Sequence, residues 1–202
     1  MNRLAVLISG FGSNLQAIIE ACEEGRLGDT SVTLVVSNRE NAYGLVRARE
    51  HGIATECWPL VSGRACQSDR EQYDRSLARR LSELGIDWVI LAGWMHVLSD
   101  AFLNRFPDRV INLHPALPGA FPGTHAIERA YEAYRRGKIQ HTGCMVHLVP
   151  DAEVDAGPVL LKEIVPIHRD DRLEDLEKRM HTTEHRLLVS AIAQVLGVDE
   201  GA

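Results

Sequence analysis

An amide, an imidazole and a carboxylate occur where one active site could use all three. Asn112 and His114 are separated by a single residue, and Asp155 opens the segment Asp155-Ala156-Gly157-Pro158. An imidazole can accept a proton from an attacking nucleophile, an amide N–H can bind a developing oxyanion, and a carboxylate can orient the ring. These parts suit acyl-type transfer. The alternative, from these residues alone, is that His114 caps a strand, Asn112 binds local backbone and Asp155 lies in a solvated acidic turn.

The neighbours of Asn112 and His114 predict how the two side chains are presented. Residues Val110 to His114 form a predicted strand, and side chains two positions apart leave the same face of a strand. Pro115 has no N–H for a sheet ladder, so the chain must leave the sheet there. The sequence therefore predicts a strand end that opens into a cleft, with both side chains facing it.

A second candidate site is the glycine-rich turn Ser9-Gly10-Phe11-Gly12-Ser13-Asn14, between the first predicted strand and the first predicted helix. Backbone N–H groups and the positive end of a helix can hold a phosphate at such a place. The turn departs from the dinucleotide fingerprint, because Leu15 replaces the third glycine and the second strand ends in Ser37-Asn38 without an acidic residue. We expect a phosphomonoester rather than NAD, with a purely structural turn as the alternative.

Length and composition favour one ordinary globular domain that binds small molecules. The chain has 202 residues, 45% of them hydrophobic and 25% charged, and its formal net charge is −6. That size fits a single domain spanning residues 1–202.

No run approaches the ~20 apolar residues of a membrane span, and the opening apolar run is too short for a signal peptide. No long Lys/Arg block points to nucleic acid. We expect a cytoplasmic protein with no membrane or nucleic-acid partner.

Cysteine and histidine usage gives no sign of a disulfide framework or a metal. The cysteines have no Cys-x-x-Cys spacing, which favours reduced thiols. Most of the nine histidines fall on predicted helices or surface connections without a matched ligand partner, so no catalytic metal is expected. His125 is the exception of interest, since it could line the same cleft as His114 or simply be exposed at a helix start. The cysteines are Cys22, Cys57, Cys66 and Cys144.

Apolar runs of strand length alternate with stretches of helical period along most of the chain, a pattern typical of βαβ units. The sequence predicts an α/β fold with a mostly parallel twisted sheet flanked by helices. Near the C-terminus, Thr142–Leu148 and Val159–Ile167 are predicted strands joined by the short acidic loop 150–157, which favours antiparallel pairing. A long final helix is predicted over Leu173–Leu196, with one broad apolar face.

Four motifs, in order along the chain, give a family resemblance. They are Gly-Phe-Gly-Ser-Asn-Leu at 10–15, Asn-Leu-His-Pro at 112–115, Phe-Pro-Gly at 121–123 and Val-Asp-Ala-Gly-Pro at 154–158. With these motifs the chain resembles the phosphoribosylglycinamide formyltransferases. The resemblance implies a Rossmann-like formyltransferase fold and transfer of a formyl group from 10-formyltetrahydrofolate to the amine of 5-phosphoribosylglycinamide, in purine biosynthesis.

The resemblance also implies roles for particular residues. Asn112 would bind the formyl oxygen, His114 would move protons between the attacking amine and the leaving folate nitrogen, and Asp155 would raise the pKa of His114. The N-terminal half, about residues 1–100, would carry phosphate binding, and the half from about 101 to 202 folate binding and catalysis. The ribonucleotide would contact Gly12, Ser13, Asn14 and Glu184. The folate would contact Arg70, Met95, His96, Val97, Leu98, Asn112, Asp151, Ala152, Glu153, Val154 and Asp155.

Two departures from the family pattern concern the folate contacts. Residues 116–119 read Ala-Leu-Pro-Gly where Ser-Leu-Leu-Pro is usual, and His96 stands where some members carry arginine. Other functions stay open. A methionyl-tRNA formyltransferase or a formyltetrahydrofolate hydrolase would share the Asn/His/Asp set, although both would be expected to need a further domain. A non-catalytic phosphoribosyl-binding module is the alternative from a different class, and a homodimer is open as the oligomeric state.

Overall fold

The computed structural model describes residues 1–59 and 67–198. Strands and helices alternate through β5, after which two strands follow α5 and a long helix ends the described chain. The strands are β1 (Asn2–Ile8), β2 (Thr30–Ser37), β3 (Ala54–Cys57), β4 (Trp88–Leu91), β5 (Val110–His114), β6 (His141–Leu148) and β7 (Val159–Pro166). The helices are α1 (Ser13–Glu23), α2 (Tyr43–Glu50), α3 (Gln67–Glu83), α4 (Asp100–Leu103), α5 (Ala126–Arg135) and α6 (Leu173–Leu196).

The strands form one seven-stranded sheet in the order β3-β2-β1-β4-β5-β6-β7. The first five strands pair in parallel, whereas β6 runs antiparallel to both β5 and β7. The predicted α/β fold, mostly parallel with an antiparallel C-terminal portion, is confirmed. The short connection between β6 and β7 accounts for their antiparallel pairing, because a parallel crossover needs a dozen or more residues.

Helices cover both faces of the sheet, so residues 4–8 of the central strand β1 are all apolar and buried. In β1, Leu4, Val6 and Ile8 pack in a core with residues of α1, α2, α5 and α6. Ala5 and Leu7 face the opposite core, which includes residues of α3 and α4. The alternation of β1 side chains between two separate cores follows directly from the two-residue period of a strand.

Left-handed glycines follow the ends of three helices. Gly52, Gly85 and Gly137 follow α2, α3 and α5 with φ of 69°, 65° and 68°, a conformation that glycine adopts without steric cost. Of the predicted free thiols, Cys22, Cys57 and Cys144 are unpaired in the described residues, and Cys66 lies outside them. Among the helices of the described residues, none has the length and hydropathy to cross a membrane.

The chain adds strands on one side of β1 as far as β3 and then continues with β4 on the other side of β1. The β1–β4 pair is therefore the point at which the strand order changes direction. In open α/β sheets, ligands bind outside the carboxyl ends of strands at such a switch point. The glycine-rich turn follows β1 there, and Gly93–Leu98 follows β4. Asn112 and His114 lie at the carboxyl end of β5, the next strand along.

Candidate active site

Asn112, His114 and Asp155 meet at the carboxyl end of β5. The Nδ1 atom of His114 lies 3.2 Å from Oδ2 of Asp155, and Nδ2 of Asn112 donates to Oδ1 of Asp155 at 3.0 Å. His114 is 4% exposed, and the side chain of Asp155 is 9% exposed. The carboxylate therefore contacts both strand residues at once, from a loop more than 40 positions away.

The loop between β6 and β7 brings Asp155 to the strand end. Asp155 itself has left-handed backbone, with φ of 54°, which aspartate tolerates better than most residues. Gly157 packs directly on the carbonyl of Leu148, where a Cβ would collide with backbone. Glycine at position 157 therefore lets the loop approach the Leu148 backbone closely. The Asp155 carboxylate also accepts the Gly123 N–H at 2.8 Å.

A histidine that the sequence analysis did not select completes this group. His147 lies opposite Asn112 in the antiparallel ladder between β5 and β6, and its Nε2 is 3.1 Å from Nδ2 of Asn112. Its Nδ1 lies 2.8 Å from the Leu148 carbonyl, an acceptor. Nδ1 therefore carries the proton, and Nε2 accepts from Asn112. Both N–H groups of the Asn112 amide are used, one by Asp155 and one by His147.

Opposing influences act on the pKa of His114. Burial lowers the pKa of His114, and this effect exceeds the opposing influence of the Asp155 carboxylate and the Phe121 carbonyl. Asp155 thus acts on the pKa of His114 in the expected direction, and burial outweighs it. A lowered pKa keeps the ring neutral at neutral pH, which is the form that can accept a proton.

The surroundings of Asp155 keep it charged. Burial disfavours the carboxylate, but the neighbouring imidazole of His147, the N–H of Gly123 and the imidazole of His114 outweigh it and lower the pKa of Asp155. The Nε2 atom of His114 lies 3.1 Å from the Phe121 carbonyl. Both ring nitrogens thus face oxygen atoms, and a protonated His114 could donate to both. The group is built to receive a proton.

A cavity opens over this group and contains most of the residues expected to contact folate. Arg70 is the exception: it is exposed in the first turns of α3, is not among the described residues that line the cavity, and its folate contact stays a prediction. His125 and Trp94 also line the cavity. The expected residues that do so are Met95, His96, Val97, Leu98, Asn112, Asp151, Ala152, Glu153, Val154 and Asp155.

One buried carboxylate holds the cavity wall that follows β4. Asp74 on α3 is fully buried; its Oδ1 lies 2.9 Å from Nε2 of His96, and its Oδ2 accepts the Ser99 N–H at 2.8 Å. The His96 side chain is only 4% exposed. His96 is therefore an internal partner of α3, and it fixes the segment between Met95 and Ser99.

We expect Asp74→Ala to lower the free energy of unfolding by about 3 kcal/mol, because two buried donors lose their acceptor. Urea denaturation at neutral pH measures this change. The matched control is Glu83→Ala on the same helix, which removes an exposed ion pair with Arg79 and should cost less than about 1 kcal/mol. Equal stability of the two variants would show that the buried contacts of Asp74 do not hold this wall.

A second cavity lies over the glycine-rich turn. Gly12 is the N-cap of α1 in left-handed conformation, and a Cβ there would meet the backbone of Gly44 on α2 at 2.7 Å. Gly12, Ser13 and Asn14 all line this cavity, as the sequence analysis predicts for a phosphate site. The free N–H groups at the start of α1 point to an anion there.

Glu184 lies behind the wall of this cavity, and its expected contact with the substrate stays a prediction. It is 4% exposed and is not among the described residues lining the cavity. Its Oε2 instead accepts from Nδ2 of Asn14 at 3.2 Å and contacts Nδ1 of His181 at 3.0 Å. Glu184 therefore holds two groups of the cavity wall, and the pKa of His181 is raised chiefly by this hydrogen bond.

Sequence reasoning missed the polar face of α6 that lines this second cavity. Four residues on one face of α6 line the cavity, and Arg39, from the loop after β2, also lines it. Their helical spacing was the available signal, since i, i+3, i+4 and i+7 share one helix face. The α6 residues are Lys178, His181, Thr182 and His185.

The two cavities are neighbours that share a wall. Gly93 and Met95, just after β4, line both of them. Each cavity is lined by residues from both sides of position 100, so neither cavity belongs to one half of the chain alone. The arrangement brings the glycine-rich turn and an apolar pocket together beside the Asn112, His114 and Asp155 group.

Comparison with known proteins places this fold and site in one class: the chain belongs to the Formyl transferase family, whose profile matches residues 2–192. Phosphoribosylglycinamide formyltransferase of Schizosaccharomyces pombe is 49% identical over 200 residues, 96% of each chain. That of Escherichia coli is 42% identical over 184 residues, 91% of this chain and 82% of its own. The crystal structure of glycinamide ribonucleotide transformylase 1 from Symbiobacterium toebii has a TM-score of 0.88 at 40% identity and covers all of this chain and 92% of its own.

Proposed function

We propose that this protein transfers the formyl group of 10-formyltetrahydrofolate to the amine of 5-phosphoribosylglycinamide. The observation that carries the proposal is the shared wall of the two cavities beside Asn112, His114 and Asp155. A phosphate at the start of α1 would direct the ribonucleotide amine towards Gly93. A folate in the other cavity would bring its formyl carbon to Asn112. The family membership and the names of the relatives support the same reaction.

In the proposed reaction the substrate amine attacks the formyl carbon, and the carbonyl oxygen becomes an oxyanion. Asn112 exchanges one of its two internal hydrogen bonds for this oxygen. His114 exchanges the Phe121 carbonyl for the attacking amine, accepts its proton and returns it to the folate nitrogen as the carbon–nitrogen bond breaks. Asp155 stabilises the charged ring meanwhile. The products are the formylated ribonucleotide and tetrahydrofolate.

Binding of the two substrates divides between the two cavities. Gly12, Ser13 and Asn14 hold the phosphate through N–H groups, with Glu184 supporting the wall behind them. The segment 95–98 and the loop 151–155 enclose the folate. The segment 95–98 is anchored by Asp74 rather than by solvent-exposed contacts, which supports a preformed pocket.

We expect Asn112→Ala to lower kcat about 10²- to 10³-fold, near 3 kcal/mol, because a donor to the oxyanion is lost. Steady-state kinetics with both substrates measures the change, and calorimetry on each substrate separates it from lost binding. Asn104→Ala, at the exposed C-cap of α4, is the control for removing an asparagine. A loss of less than tenfold would remove Asn112 from the oxyanion role.

The proposed acceptor is tested by following tetrahydrofolate formation from 10-formyltetrahydrofolate with three acceptors: the ribonucleotide, water alone and methionyl-tRNA. We expect turnover only with the ribonucleotide. Release with water alone would indicate a hydrolase, and activity only with the tRNA would indicate the other transferase. No turnover with any acceptor would favour a binding module. The three arms use one enzyme preparation, so they differ only in the nucleophile.

A further inference from the structure

The loop that covers His114 has a backbone that needs an external support. Its first and last residues, Phe121 and His125, have φ of 47° and 58°, in the left-handed region that residues with a Cβ rarely occupy. Such conformations persist where the surrounding structure holds them. The loop of residues 121–125 also lies between β5 and the start of α5, beside the candidate active site. Whatever holds this loop can influence the catalytic group.

Arg129, one turn into α5, provides that support. Its Nη2 donates to the carbonyls of Phe121 and Pro122, both at 2.6 Å, and its Nε lies 3.4 Å from the carbonyl of His125. The guanidinium carbon lies 5.9 Å from the centre of the Phe121 ring. A planar group with five donors can bind several carbonyls together, which a single ammonium cannot reproduce.

The loop held by Arg129 contacts two of the catalytic groups. The Phe121 carbonyl lies 3.1 Å from Nε2 of His114, and the Gly123 N–H donates to Oδ2 of Asp155 at 2.8 Å. The same Phe121 oxygen therefore accepts from Arg129 and faces the imidazole. A displacement of the loop would change the surroundings of both His114 and Asp155.

We propose that Arg129 is a positioning residue for the formyl transfer: through the 121–125 loop it sets the orientation of the His114 ring and the Asp155 carboxylate. Only the kinetic part of this inference, the effect on kcat, rests on the proposed function. The Arg129 side chain hydrogen-bonds to loop backbone and lies near the Phe121 ring. Its effect on the reaction is therefore indirect, through the Phe121 carbonyl and the Gly123 N–H.

The groups around His114 determine how the loss of Arg129 would be seen. Asp155, from the loop after β6, and the Phe121 carbonyl favour the charged ring, whereas His147 on β6 and burial disfavour it. On the α5 side, His125 and Glu128 form an exposed pair with each other. If the loop moves away, His114 loses an acceptor that favours its charged form, and the pKa of its ring falls.

The test is an NMR titration of the His114 imidazole in the ligand-free protein, with its signal assigned by its absence in His114→Ala. We expect Arg129→Lys, which keeps the positive charge but cannot bind all three carbonyls, to move the His114 midpoint to lower pH. Arg129→Gln should lower kcat roughly tenfold, with little change in either KM. The matched control is Arg136→Gln, which removes a cation at the C-cap of α5 that is paired with Glu132 and should leave midpoint and kcat unchanged. The kcat of Arg129→Lys should fall between those of wild type and Arg129→Gln.

A His114 midpoint in Arg129→Lys equal to that of Arg136→Gln would overturn the inference, whatever the activity. Arg129→Lys decides because it keeps the charge near His114 and changes only the loop contacts. If Arg129→Gln does not fold, the kcat of Arg129→Lys is compared with that of Arg136→Gln, and equal values would also overturn the inference. Failure of the proposed function is distinguishable. It would appear as absence of formyl transfer in the wild type, while the titration of His114 would still report the loop contact.

Discussion

His114→Ala is expected to lower kcat by about 10³- to 10⁴-fold, because the proposed proton carrier between amine and folate is removed. Binding of the ribonucleotide should persist, since the ring lines the folate cavity and is not among the described residues that line the phosphate cavity. Steady-state kinetics and calorimetric titration with the ribonucleotide separate the two effects. A large loss of kcat with a near-normal dissociation constant for the ribonucleotide is the predicted pattern.

The control for His114→Ala is His141→Ala, which removes an exposed histidine at the start of β6. It should retain wild-type kinetics. If His114→Ala retains wild-type turnover under the same conditions, the ring does not carry the proton, and the mechanism proposed for this group fails. If kcat and the dissociation constant for the ribonucleotide worsen together, the ring has a structural role in place of the proposed one.

Asp155→Asn is expected to lower kcat by about 10⁴-fold, by analogy with the same change at a carboxylate that orients a catalytic histidine. The change keeps the shape of the side chain but removes its negative charge. In the wild type that charge favours the protonated form of His114. In the wild type the Asp155 carboxylate accepts hydrogen bonds from Asn112 and Gly123. The variant places an amide in that position. Steady-state kinetics on the folded variant gives the magnitude.

The pH dependence distinguishes the electrostatic role of Asp155 from a structural one. The carboxylate opposes the lowering of the His114 pKa, so its loss should lower that pKa further. The acid limb of kcat/KM, where His114 becomes protonated, should therefore move to lower pH in Asp155→Asn. Asp170→Asn, in an exposed turn before α6, is the control. An acid limb at the wild-type position would contradict the proposed electrostatic coupling.

Local patterns in the sequence predicted most of the fold. The two-residue alternation of β1 and the helical period of α6 are local properties, and the left-handed glycines that end α2, α3 and α5 mark boundaries directly. The shared face of Asn112 and His114 followed from the strand geometry alone. The position of Asp155 beside them did not, because the loop that carries it lies more than 40 residues away, and the expectation came from the family resemblance.

Burial and pairing across the sheet account for what the sequence could not give. The lowered pKa of His114 depends on how many atoms surround the ring, and no local pattern contains that number. The contact of His147 with Asn112 depends on the antiparallel register of β5 and β6. The burial of Asp74 and Glu184, two carboxylates on helices, depends on partners in distant segments. Each of these is a long-range property of the folded chain.

The most direct test of the central claim follows the formyl carbon itself. The enzyme is incubated with 10-formyltetrahydrofolate labelled with ¹³C in the formyl group and with 5-phosphoribosylglycinamide, and the product is examined by NMR. The account predicts that the label appears in the amide of the ribonucleotide, in amount equal to the tetrahydrofolate formed, and that Asp155→Asn abolishes most of it. Label recovered as free formate, with the ribonucleotide unchanged, would contradict it.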